Sequence, residues 1–199
     1  AASVMQDMFI ATVYMHGSHV CHRDLKPENF LFSKPVDRNN PIETVVLKLI
    51  DFGLACKFES GEVLTQKAGT PYYVSPELLS GNYNHCTDLW SLGVIMYIVL
   101  YGSPPFHGER TDEIIRNVKL GNVSFNGDAW KNISDDAKNL ISKLLDKSPT
   151  KRWTAEQALR SRWVQEKAPG ATGMCLNMSD SSLVTNLHAF RSQNKLGKA

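Results

Sequence analysis

At 199 residues with 42% hydrophobic positions, the chain can bury one sizeable core and is expected to form one main domain. Its formal net charge of +2 comes without a dense Lys/Arg stripe, which argues against a nucleic-acid partner. Cys21, Cys56, Cys86 and Cys175 form no C-x-x-C pair, which disfavours a zinc site or a disulfide framework and makes a reducing, cytoplasmic (intracellular) location the expectation. The longest apolar run, 92–101, is interrupted by Gly93 and is too short for a transmembrane segment, and no signal peptide is read at the start.

Over 1–16, Val4, Met5, Met8, Phe9, Thr12 and Val13 recur at three- and four-residue steps before Gly17, the pattern of an amphipathic helix whose apolar face fills a core. It delivers the chain to Cys21-His22-Arg23-Asp24-Leu25-Lys26-Pro27-Glu28-Asn29-Phe30-Leu31. That stretch gathers an acid, a cation and a carboxamide in Asp24, Lys26 and Asn29, is stiffened by Pro27, and empties onto an apolar run. Residues 30–32 and 45–50 read as a short hairpin joined by a Pro-, Asn- and Asp-rich connection over 33–41, longer than a tight turn needs. Adjacent strands bring Asn29 close to Asp51, which opens the triplet Asp51-Phe52-Gly53.

From 51 to 77 there is little periodicity, and an irregular stretch of this length inside a compact domain is usually functional. Residues 86–100 carry Leu89, Trp90, Leu92, Val94, Ile95, Met96, Ile98 and Val99, apolar on nearly every face, so a fully buried helix is predicted, stopped by Gly102-Ser103-Pro104-Pro105-Phe106. Three further helices are readable. One spans 111–120 with Ile114, Ile115 and Val118 on one face. Another spans 134–145, with Asp135 and Asp136 in its first turn and Ala137, Leu140, Ile141, Leu144 and Leu145 as a stripe. The third is opened by a capping box at Thr154-Ala155-Glu156-Gln157.

The expected organisation is a compact domain over 1–166, a linker over 167–181 and a separate segment over 182–199. The last places Leu183, Leu187 and Phe190 on one helical face with Arg191, Lys195 and Lys198 and no acids. Such a basic amphipathic segment reads as a calmodulin-target-like or partner-binding helix; on charge alone, an ordinary solvated terminal helix is the alternative.

The string HRDLKPEN at 22–29, followed across one strand by DFG at 51–53, resembles the catalytic loop and metal-binding triplet of eukaryotic Ser/Thr protein kinases. The two motifs in this order are highly specific. A kinase lobe followed by Leu183 to Arg191 and Asn194-Lys195-Leu196 is most similar to the calcium-dependent protein kinases of plants and protists, at their autoinhibitory junction. The resemblance implies a mainly α (α+β) fold: the larger, C-terminal kinase lobe with a short β-hairpin at the catalytic loop. The smaller lobe and the EF-hands are absent from these residues, since no G-x-G-x-x-G run, V-A-I-K lysine or EF-hand loop occurs.

The implied activity is ATP-dependent phosphorylation of Ser/Thr in protein substrates, with ATP and Mg2+ as cofactors and calcium control through an EF-hand domain in cis or a calmodulin-like protein bound by 182–199. By resemblance Asp24 accepts the substrate proton, Lys26 balances phosphate charge, and Asn29 and Asp51 hold magnesium. Thr70 contacts Asp24 and Lys26, Leu31 lies beneath adenine, and His22 packs on Phe52 of the Asp51-Phe52-Gly53 triplet. Asp88 receives loop amides, or is simply a helix-start carboxylate. Arg152 pairs with Glu77, or lies exposed; Glu28 reads a basic residue upstream of the acceptor, or is merely exposed. Ser75-Pro76-Glu77 stands where the family more often has APE, a mild departure. Arg23 normally clamps a phosphate where this chain has Gln66, beside Thr65; either Thr65 serves, or the segment is ordered without phosphorylation, helped by Glu59 or Glu62, the reading preferred here. With half of the ATP site missing, the 199 residues alone are expected to be inactive, and a non-catalytic interaction module is the alternative function.

Overall fold

The computed structural model describes residues 1–41 and 44–168. The segment 182–199 and most of the expected linker lie outside the described residues. The described residues contain seven α-helices: α1 (Ala2–Gly17), α2 (Pro76–Ser80), α3 (Thr87–Tyr101), α4 (Thr111–Leu120), α5 (Asp135–Leu144), α6 (Ala155–Leu159) and α7 (Arg162–Lys167). The mainly helical lobe expected from the sequence is the architecture observed.

Its centre is α3, every residue of which from Thr87 to Tyr97 is buried. The expected full burial fails only in the last turn, where Val99 is 45% exposed and the helix ends on Gly102 in the left-handed conformation. Gly93 explains how closely α5 approaches: a Cβ there would lie 2.8 Å from Leu145 Cδ2 and 2.9 Å from Leu144 Cβ. Helix α1 packs along α3, α6 and α7 and buries Met5, Met8, Phe9 and Val13, while the hydroxyl of buried Thr12 donates to the Met8 carbonyl at 2.8 Å. The capping box is complete, with Gln157 N donating to Thr154 Oγ1 at 3.3 Å and Thr154 N to Gln157 Oε1 at 2.9 Å. Helix α7 was not legible in the sequence; Ser161 caps it, and Ala168 beyond it is buried in the core.

Among the described residues, four short strands form two ribbons. Strands β2 (Phe30–Phe32) and β3 (Leu47–Leu49) make the expected hairpin, with Phe30 facing Leu49 and Phe32 facing Leu47; its second strand is shorter than the 45–50 predicted. Strands β1 (Val20–Cys21) and β4 (Cys56–Lys57) pair antiparallel, and at two residues each they are too short to leave a period-two signature. Among the described residues, no helix is long and apolar enough to cross a membrane.

Candidate active site

The polar stretch after β1 hangs from the start of α3. Asp88, fully buried, accepts the amide of His22 at 2.9 Å and that of Arg23 at 2.8 Å, and bonds His16 Nε2 at 2.9 Å. Burial alone would push its carboxyl up; the hydrogen bond and charge of His16 and the two amides hold it below the usual carboxylate range. The anchor matters because Arg23 sits at φ +69, a left-handed conformation that costs a non-glycine residue of order 1 kcal/mol or more and persists only where surrounding contacts impose it.

The Arg23 guanidinium bonds the Leu54 carbonyl at 2.6 Å, Gln66 Oε1 at 3.1 Å and the Tyr83 hydroxyl at 3.3 Å. Tyr83 in turn donates to the Gln66 carbonyl at 2.6 Å. Gln66 therefore fills the place considered for a phosphate. The suggested help from Glu59 or Glu62 is not seen: the Glu62 carboxylate accepts the Glu59 amide at 2.6 Å and closes its own turn. The backbone of the segment crosses close over the loop at Gly69 (φ +95), where a Cβ would lie 2.7 Å from the Arg23 carbonyl oxygen, so only glycine fits.

That crossing sets Thr70 beside Asp24. The Thr70 hydroxyl donates to Asp24 Oδ1 at 2.7 Å, and Lys26 Nζ donates to Asp24 Oδ2 at 2.7 Å and to Thr70 Oγ1 at 3.4 Å. Asp24 is 8% exposed. Its hydrogen bond holds the Lys26 ammonium above the usual lysine range, against burial that lowers it. Buried Asn29 donates Nδ2 to the Asp24 carbonyl at 2.8 Å, and its backbone carbonyl accepts the Ile50 amide at 2.9 Å. The hairpin thus delivers Asp51 next to Asn29. Asp51 is exposed at φ +59 and accepts the Gly53 amide at 3.2 Å. Behind it, the His22 and Phe52 rings pack 5.1 Å apart, with His22 Nε2 3.2 Å from the Ile50 carbonyl.

Other singled-out residues make no side-chain bond within this cluster. Leu31 is 49% exposed on β2 and Glu28 is exposed. Arg152, 3% exposed, clamps both carboxylate oxygens of Glu77 and also bonds the carbonyls of Asp146 at 3.0 Å and Cys86 at 2.9 Å, with its guanidinium 5.2 Å from the Trp90 ring centroid. The exposed-arginine alternative does not hold. His16 and Tyr83, which complete the Asp88 and Arg23 networks, carry no local sequence signal, because their partners lie far along the chain.

Chemically, the cluster offers a nearly buried carboxylate fixed by a cation and a hydroxyl, and beside it two hard oxygen donors in Asn29 and Asp51. The family model described as protein kinase domain matches residues 1–164. The chain is 45% identical over 168 residues to calcium-dependent protein kinase 3 of Plasmodium yoelii yoelii, covering 84% of this chain and 30% of that protein. It is 40% identical over 198 residues to calcium-dependent protein kinase 7 of Oryza sativa subsp. japonica, covering 100% and 35%, and 41% identical over 196 residues to calcium-dependent protein kinase 12 of the same rice, covering 98% and 35%. The chain thus spans about a third of the length of these relatives.

Proposed function

The chain belongs to the protein kinase domain family, and on that premise we propose that it supplies the larger lobe of a calcium-regulated kinase that transfers the γ-phosphoryl group of ATP to serine or threonine hydroxyls of proteins. The observation that carries this reading is the triangle of Asp24, Lys26 and Thr70, closed by contacts of 2.7, 2.7 and 3.4 Å. The Thr70 hydroxyl at that place supports Ser/Thr over Tyr acceptors. Calcium control is supported by the names of the relatives.

Phosphoryl transfer asks a protein mainly for positioning and charge neutralisation. In this reading Asp24 accepts the proton of the incoming hydroxyl and Lys26 meets the negative charge of the transferring group. Asn29 and Asp51 fit a magnesium ion: the Asn29 amide nitrogen is spent on the Asp24 carbonyl, which leaves its oxygen for a cation, and Asp51 adds a carboxylate. Magnesium bound there supplies charge neutralisation between the phosphates. Leu31 offers an exposed apolar surface for adenine, and Glu28 a carboxylate for a basic residue upstream of the acceptor. Residues 182–199 hold the lobe inhibited and bind an EF-hand module, in cis or as a calmodulin-like protein.

The 199 residues contain no G-x-G-x-x-G run and no V-A-I-K lysine, so the groups that cover the phosphates in this family have to be supplied by other residues. The chain by itself is expected to phosphorylate a basic Ser/Thr peptide at background rate. A fusion placing a glycine-loop lobe ahead of Ala1 is expected to transfer phosphate, and to lose that activity on Asp24→Asn. A fusion that folds and binds Mg-ATP yet transfers nothing sinks the reading.

A further inference from the structure

The ribbon of β1 and β4 sets Cys21 directly opposite Cys56. Facing residues of an antiparallel pair have Cα atoms about 4.5–5.5 Å apart and side chains on the same face, inside the roughly 4.4–6.8 Å that a disulfide spans. Both are free thiols, and they sit in unequal surroundings. Cys21 is fully buried, whereas Cys56 is half-buried. The hydrogen bond from Cys21 brings the Cys56 thiol down to about 7, against the opposing effect of burial and with help from the Arg23 charge. The Cys21 thiol is pushed well up by its bond to Cys56 and by burial, and burial also raises Cys86. One ionisable sulfur on a half-buried residue thus faces one buried, protonated sulfur.

We propose that Cys21 and Cys56 form an oxidation site at which a hydroperoxide oxidises Cys56 and Cys21 resolves the product into an intrachain disulfide. In the first step the Cys56 sulfur attacks a peroxide oxygen; an S–O bond forms, the O–O bond breaks, and hydroxide (or alkoxide) leaves. In the second step the Cys21 sulfur attacks the Cys56 sulfenic acid; the S–S bond forms, the S–O bond breaks, and water leaves with the Cys21 proton. The two sulfurs give up two electrons and the peroxide takes them. The bridge joins the residue ahead of His22 to the segment beyond Gly53, close to Arg23, whose Nε already reaches the Leu54 carbonyl at 2.6 Å. The inference is independent of the proposed kinase activity.

The test treats the 199-residue chain with stoichiometric hydrogen peroxide at pH 7, blocks remaining thiols, and maps unreduced tryptic peptides by mass spectrometry. Cleavage after Arg23, Lys48 and Lys57 leaves Cys21 in peptide 1–23 and Cys56 in peptide 49–57. The expected product is these two peptides joined. Before oxidation, iodoacetamide should label Cys56 at least about tenfold faster than Cys86, because the Cys56 thiol is about half ionised at pH 7 whereas burial keeps Cys86 more fully protonated than a free thiol. Cys56→Ser should leave Cys21 reduced, and Cys21→Ala should stop at a Cys56 sulfenic acid that dimedone traps. The mapping of the unaltered chain decides the matter even if Cys21→Ala does not fold. A Cys56 joined instead to Cys86, Cys175 or a second chain, a sulfenic acid persisting on the unaltered chain, or labelling of Cys56 no faster than Cys86 overturns the proposal.

Discussion

Around α3 the fully buried side chains are Leu89, Leu92, Ile95, Met96, Leu140, Ile141 and Leu144, whereas around Asp24 the buried groups are His22, Arg23, Asn29 and Asp88. The first region is held by volume. Many combinations of apolar side chains fill such a space with small losses. The second is held by pairing: each donor has one acceptor at one distance, and a missing partner leaves a desolvated polar group that costs more than the bond was worth. The helical region should therefore tolerate changes of shape, and the loop region should tolerate almost none.

Five experiments break or sharpen that contrast. Asp24→Ala in the lobe-completed fusion should lower phosphate transfer about 10³-fold and, by leaving the Thr70 hydroxyl and the Lys26 ammonium without their partner, also lower the melting temperature of the chain; a comparable loss from Leu140→Met would erase the contrast. Arg152→Ala should destabilise by roughly 3–5 kcal/mol in urea unfolding, because Glu77 is left in a mostly buried site without its partner. Arg152→Lys should recover only part of this, since an ammonium cannot make the two-pronged contact. Leu140→Ala should cost about 3 kcal/mol and Leu140→Met less than about 1.5 kcal/mol in the same assay. Gly93→Ala should cost about 1–3 kcal/mol by overpacking against Leu144 and Leu145.

The smallest effect is read on acidification. Asp88 has its pKa lowered on folding, so the stability it contributes is complete above the unfolded carboxylate value of about 3.9 and is lost as pH falls below that towards the lower folded value, where the unfolded chain binds the extra proton. Urea midpoints measured from pH 5 to 3 should fall less steeply in Asp88→Asn than in the unaltered chain.

What could be read in advance follows the same division. Apolar periodicity wrote α1, α3, α4 and α5 into the sequence, and Thr154 with Gln157 announced α6, because those signals are local. The hairpin was legible from Phe30 to Phe32 and from a strand-like run opposite it. Asp24, Asn29 and Asp51 stood out because motif spacing is also local. Not legible were the partners that lie far along the chain: His16 on Asp88, Tyr83 on Arg23, and Cys56 across from Cys21. The same holds for Trp130, whose ring packs 4.8 Å from Tyr97 and 4.9 Å from Phe125. Two-residue strands and the short α2 and α7 carry too few positions to show a period, so tertiary contacts alone decide them.

The bonds from His22 and Arg23 to Asp88 span 66 and 65 residues of sequence, and this separation sets an order of events. During synthesis the loop leaves the ribosome well before α3 exists, and N-terminal parts fold first only where their contacts are already made. Closing so long a loop costs entropy that must be met before the contact returns anything. The left-handed turn at Arg23 has no support until that closure. The loop around Asp24 is thus assembled late, by a helix that must form without it.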